Sequence, residues 1–231
     1  PSYFPECLGE ELYEIQNTSE CTQCELFEDG YVEIWDVCYN IDSTSNLNLS
    51  NNEIDGSIPH EIGLLVNLQN LNLSFNNLSG AIPLELLSMD SLTELYLSNN
   101  LLSGEIPQEI GNMVALERLT LSNNQFSGHI PESIGNLVNL NYLTLSDNQL
   151  SGNIPEEICQ QGDSTPSLSN NYLCPEYPSC LSESDVGYQD TSECNPCNEG
   201  TEVFLFGNCY NIVSTTHLNL PSSTVGQIPP E

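Results

Sequence analysis

A chain of 231 residues with 33 Asp plus Glu, three histidines and a single other basic side chain, Arg118, carries a formal net charge of -32. Nucleic-acid binding needs several Lys or Arg to displace phosphate counterions, and attraction to anionic lipid needs the same, so both are excluded. A surface this acidic instead favours solubility, repels polyanions and can collect divalent cations such as Ca2+.

The ten cysteines, Cys7, Cys21, Cys24, Cys38, Cys159, Cys174, Cys180, Cys194, Cys197 and Cys209, crowd the two ends of the chain. Cys21-Thr-Gln-Cys24 and Cys194-Asn-Pro-Cys197 are CxxC pairs, but each has only one further Cys nearby, short of a four-ligand zinc site. Disulfides in an oxidising compartment are the better reading, which places the chain outside the cell or on its surface. No apolar run is long enough to span a bilayer. A start at Pro1 without a visible leader reads as a mature or trimmed product.

In chain order, residues 1–20 read as the remnant of a C-terminal cap, because Tyr3-Phe-Pro5-Glu-Cys7-Leu8 parallels Tyr177-Pro178-Ser-Cys180-Leu181. Residues 21–46 read as a cysteine-rich N-terminal cap. From residue 47 to 173 a unit recurs every 24 residues: Leu47-Asn-Leu49, Leu71-Asn-Leu73, Leu95-Tyr-Leu97, Leu119-Thr-Leu121 and Leu143-Thr-Leu145. Each is followed by an Asn (Asn52, Asn76, Asn100, Asn124, Asn148), then a Gly, then Ile-Pro. A degenerate sixth unit contains Leu168, Asn171 and Leu173. Residues 174–192 read as a C-terminal cap and linker. Residues 193–231 repeat the start, since Cys7 to Cys180, Cys21 to Cys194 and Cys24 to Cys197 are all 173 apart. The chain therefore reads as a window on a tandem array, with one complete module and parts of two others.

The pattern LxxLxLSxNxLSGxIPxxIGxL over roughly residues 44 to 173 resembles the plant-type extracellular leucine-rich repeat of receptor-like kinases and polygalacturonase-inhibitor-like proteins. The resemblance implies a concave face that binds protein, peptide or glycan. Physics points to the same fold, an α/β solenoid wound as a right-handed superhelix. Each LxL triplet alternates apolar and polar, so it forms a short strand that buries both leucines. One such strand cannot cover its own apolar face, so copies stack in parallel. Gly and Ile-Pro turn the chain onto a convex side of turns and short helical segments. The recurrent Asn reads as an internal ladder bonding backbone groups of the turns.

No constellation implies catalysis: His60, His129 and His217 lie apart, and the chain reads as a non-enzyme. On the concave lanes, Glu94, Tyr96, Arg118 and Tyr142, with Phe75 at the edge, form the candidate ligand patch. Its plainer reading is a cross-strand ion pair with an aromatic neighbour. Glu61, Glu85, Glu109 and Glu157 each follow a proline by two residues, forming a convex column. It is either a set of first-turn acids suited to the local dipole or a weak divalent-cation surface. Asn17, Asn48, Asn72 and Asn77 open glycosylation sequons. Pairing of neighbouring cysteines would give Cys7–Cys21, Cys24–Cys38, Cys159–Cys174, Cys180–Cys194 and Cys197–Cys209. The tandem duplication and the uniform concave lane favour a structural or adhesive surface protein whose modules assemble with themselves head to tail into a fibre; the alternative is a recognition module for an extracellular protein, peptide or glycan.

Overall fold

The computed structural model describes residues 30–192, Cys194 and the strand backbones at 202–205 and 208–211. Cys7, Asn17, Cys21, Cys24, Cys197 and His217 lie outside the described residues, as does the cap assigned to 1–20. Contacts divide the chain into two compact units, Pro1–Ser192 and Glu193–Glu231.

The described part of the first unit begins with the antiparallel hairpin of β1 (Tyr31–Ile34) and β2 (Val37–Asn40). Trp35 and Asp36 make its two-residue turn with φ of 48° and 60°, the left-handed pair whose twist matches flanking strands. Val32 and Ile34 are buried against the first coil and close the amino-terminal end of the leucine stack.

The LxL triplets then build a five-stranded parallel sheet from β3 (Asn46–Asn48), β5 (Asn70–Asn72), β7 (Glu94–Tyr96), β9 (Arg118–Thr120) and β11 (Tyr142–Thr144). Equivalent residues pair in strict 24-residue register, Asn70 with Glu94 and Glu94 with Arg118. The central leucines from Leu71 to Leu143 are essentially inaccessible, so one continuous core runs the length of the stack.

On the other side the structure departs from the expectation of turns and short helices alone. A second parallel sheet forms from β4 (Asp55–Gly56), β6 (Asn77–Gly80), β8 (Leu101–Glu105), β10 (Gln125–Gly128), β12 (Gln149–Asn153) and β13 (Tyr172–Cys174). The LSG segment itself alternates: Leu78, Leu102, Phe126 and Leu150 are buried, while the serines after them are only half-buried, and Leu173 is buried likewise between Tyr172 and Cys174. Gly80 (φ 80°) and its equivalents then take the left-handed conformation that lets the chain leave the strand. The helical part is 3-10, in short turns such as His60–Leu64, Gln108–Asn112 and Glu132–Asn136, each after its proline and each burying one isoleucine. Successive turns touch through glycine. A Cβ on Gly63, Gly111 or Gly135 would lie 2.7, 2.6 or 2.9 Å from the Cβ of Glu85, Ser133 or Glu157 in the next coil.

The expected asparagine ladder is present. Asn100 Nδ2 donates to Leu73 O and Leu97 O at 3.0 Å, while its Oδ1 accepts from Leu78 N–H at 3.1 Å. Asn76, Asn124, Asn148 and Asn171 repeat the pattern. Asn52, in the first coil, is exposed, and its Nδ2 donates to Ser50 O. The carboxyl-terminal cap continues the ladder. Ser182 and Asp185 form a capping box at α1 (Glu183–Val186), Val186 enters the core, and Gln189 takes the next rung. Gln189 Nε2 donates to Leu168 O and Val186 O, and its Oε1 accepts from Leu173 N–H. The segment is thus a shortened last coil.

The cysteine pairing differs from the neighbour scheme. Cys159 bonds Cys180, with Cα atoms 5.7 Å apart, which removes both Cys159–Cys174 and Cys180–Cys194. Cys38, Cys174 and Cys194 are also disulfide-bonded. The reason is the stack rather than the chain. Cys159 occupies the slot that Gly63, Gly111 and Gly135 fill in earlier coils, so its neighbour is the residue one coil later.

In the second unit, β14 (Glu202–Leu205) and β15 (Asn208–Asn211) form an antiparallel hairpin with the register of β1–β2. The strand end pairs Glu202 with Asn211, as Tyr31 pairs with Asn40.

Candidate functional site on the concave face

Strict register places one residue of each coil beside its neighbour about 4.8 Å away, so a lane of the concave sheet is a row of adjacent side chains. Along the lane before each first leucine lie Asn46, Asn70, Glu94, Arg118 and Tyr142. Arg118 Nε stands 3.8 Å from Glu94 Oε1, and its guanidinium carbon lies 5.7 Å from the centre of the Tyr142 ring. Glu94 Oε2 accepts from Tyr96 OH at 3.1 Å and from Asn70 Nδ2. The structure therefore joins four of the five patch residues into one network and adds Asn70. The signal for Asn70 was its place 24 residues before Glu94.

This network is a poor stability device. The Arg118 side chain is 47% exposed and that of Glu94 31%, and an ion pair of that exposure is worth at most about 1 kcal/mol. Its effect is orientation: Glu94 is fixed by two neutral donors, and it holds Arg118 over Tyr142. Beneath the neighbouring lane runs a row of hydroxyls, Ser98 to Ser122 at 3.2 Å and Ser122 to Thr144 at 2.7 Å. Phe75 stands apart from the network at the sheet's edge, 60% exposed.

Tyr96 reports on the network. Its phenol titrates above the ordinary value of 10.0, first because burial disfavours the phenolate, then because of the hydrogen bond to and charge of Glu94, against a smaller opposing effect of Arg118. The folded state thus holds this proton more tightly than the unfolded chain. The stabilisation is complete below the ordinary value and is lost as pH rises through the folded one. In a tyrosinate-absorbance titration, Glu94→Gln is expected to bring Tyr96 ionisation to lower pH, and an unmoved curve would disprove the coupling.

The remaining candidates sit elsewhere. Glu61 and Glu109 lie in the first turn of their 3-10 segments, Glu157 in that of Glu156–Cys159, and Glu85 at the N-cap of Leu86–Ser88. Among the described residues no three His, Cys, Asp or Glu side chains are grouped as metal ligands. His60 lies 3.3 Å from Glu61 with 71% of its side chain exposed, and His129 is at the surface. Asn48 and Asn72 are on the concave sheet, each with Oδ1 accepting from the N–H two residues on, whereas Asn77 is exposed at the start of β6. No helix among the described residues is long and apolar enough to cross a membrane.

The chain matches the leucine-rich-repeat family models over residues 90–150, 43–65 and 67–89. No curated protein matches it in sequence. Among solved structures it is similar to the ectodomain of the Arabidopsis thaliana membrane receptor kinase GASSHO1/SCHENGEN3 in complex with CASPARIAN STRIP INTEGRITY FACTOR 2. The identity is 39% over 57% of this chain and 16% of that one, with a TM-score of 0.55. The Arabidopsis receptor kinase HAESA, in complex with the peptide hormone IDA and the co-receptor SERK1, is 38% identical over 73% of this chain and 27% of that one, with a TM-score of 0.58. A chain of the BIR3–SERK2 complex from Arabidopsis thaliana is 35% identical over 71% of this chain and 86% of its own length, with a TM-score of 0.52. The chain thus spans only 16% and 27% of the two large receptor ectodomains. With its paired parallel sheets, its asparagine ladder and these matches, the chain belongs to the leucine-rich-repeat family, in the plant extracellular type.

Proposed function

We propose that this chain is a non-enzymatic, extracellular recognition module that binds a polypeptide on its concave face around Glu94, Tyr96, Arg118 and Tyr142. The observation that carries the reading is the network itself: oriented, half-exposed and worth little to stability. Tyrosines with two side-chain torsions and a fixed guanidinium give contact area at low entropic cost. Structural neighbours support it, since HAESA is seen with a peptide hormone and a co-receptor. Selection of random linear peptides on the immobilised full chain tests it. The selected peptides are expected to lose at least tenfold in affinity with Tyr142→Ala and with Arg118→Ala. Peptides indifferent to both variants would place recognition elsewhere.

A second reading, a structural array of tandem modules, has one observation in its favour: the β14–β15 hairpin repeats the register of β1–β2. The solenoid of the first unit is closed by Val32 and Ile34 at one end and by Val186 at the other. Extension would then come from covalent tandem modules rather than from open leucine ends meeting. Electron microscopy of the native protein separates curved single particles from regular filaments.

A further inference from the structure

We propose that Phe75 is the apolar anchor for an extended, cationic polypeptide segment lying across the amino-terminal half of the concave face. This deepens the concave-face reading and rests on it. Phe75 belongs to a column of residues two places after the second leucine of each coil: Asn51, Phe75, Asn99, Asn123, Asp147 and Asn170, all with φ between 55° and 59°. That left-handed conformation is costly for bulky side chains and tolerated by Asn and Asp, which fill the other five places. The fold therefore asks for Asn here and receives Phe.

Phe75 is not part of the core either. It is 60% exposed and outside the core, and the N–H that it donates to Ser98 O at 3.0 Å comes from backbone that any residue supplies. A side chain that is disfavoured locally and unburied in the free protein fits a role in contact with something else.

The surroundings define what that is. Between the lane of Tyr96 and the column of Phe75 runs the serine lane of Ser74, which is buried, and Ser98. A low floor flanked by two aromatic residues accepts an aromatic or branched aliphatic side chain from an extended chain. Electrostatics sets the rest of the ligand. A protein of net charge -32 with one arginine steers cations towards itself. Glu94 Oε1, one coil from Phe75, lies 3.8 Å from Arg118 Nε, beyond ordinary hydrogen-bond distance, so a Lys or Arg of the ligand can pair with it.

The test uses the peptides selected on the full chain and the variants Phe75→Asn, Phe75→Tyr and Tyr142→Ala. Selected sequences are expected to combine a Lys or Arg with an aromatic or branched aliphatic residue. Phe75→Asn should weaken them at least tenfold while leaving the thermal midpoint unchanged or higher, and Phe75→Tyr should keep most of the affinity. Binding lost with Tyr142→Ala but unchanged in Phe75→Asn overturns the anchor and leaves the concave reading standing. Indifference to both variants, or no selected peptide at all, overturns both. Acidic selected peptides overturn the cationic class, and a lower midpoint in Phe75→Asn overturns the premise that the fold gains nothing from Phe.

Discussion

Asn100→Ala is expected to cost about 3 kcal/mol of stability, a large share of what a domain of this size has to lose. The residue is 7% exposed, and its side chain makes bonds of two kinds. Leu73 O and Leu97 O each accept a second amide as well, from Asn76 and Asn124, so they stay partly satisfied when Asn100 is cut back. Leu78 N–H has no such reserve: Asn100 Oδ1 is its acceptor, and Leu78 is inaccessible to water. An orphaned buried donor accounts for roughly 1–3 kcal/mol, and the lost carbonyl bonds add the remainder.

Two controls make the test specific. Asn100→Asp keeps size and shape but turns the donor into an oxygen facing two carbonyls, so it should be at least as damaging as Ala. Asn52→Ala removes only an exposed bond to Ser50 O and should stay within about 0.5 kcal/mol of wild type. Denaturant melts of the three variants decide the matter. Equal small losses at 52 and 100 would mean that the ladder is decoration.

Much of this architecture is legible in the sequence because the repeat is strict. The 24-residue spacing alone yields the five concave strands, their register, the buried leucines and the lanes that bring Glu94, Arg118 and Tyr142 together. What escapes is whatever depends on contacts between coils rather than on periodicity along one. The second sheet is hidden because Leu-Ser-Gly is too short a run to announce a strand, and only stacking supplies its hydrogen-bonded partners. Gln189 is hidden for a related reason: it serves as an asparagine, but its longer side chain and the irregular spacing of the last coil disguise the rung. Phe75 carries a sequence signal, since it interrupts a column of Asn and Asp, but its weight comes from the 58° φ and the exposure that only coordinates reveal.

The disulfide is the sharpest instance of contact between coils, and its removal is the second large effect. Cross-linking Cys159 to Cys180 closes a loop with a sequence separation of 21, and chain-entropy arguments put its worth near 3 kcal/mol. The double variant Cys159→Ala, Cys180→Ala is preferable to a reductant, because Cys38, Cys174 and Cys194 are also disulfide-bonded and would open too. In a solenoid each coil touches only its neighbours, so the loss should be local before it is global. Hydrogen exchange is expected to quicken at Leu168, Asn170 and Leu173, whose N–H groups are held by Asp185 O, Tyr188 O and Gln189 Oε1. Leu73 and Leu97, bonded to Tyr96 O and Thr120 O in mid-stack, should keep their protection. Uniform loss along the chain would mean that the last coil and the centre melt as one unit. The closing coil would then be part of the cooperative core, and the disulfide would brace the whole stack instead of pinning its end.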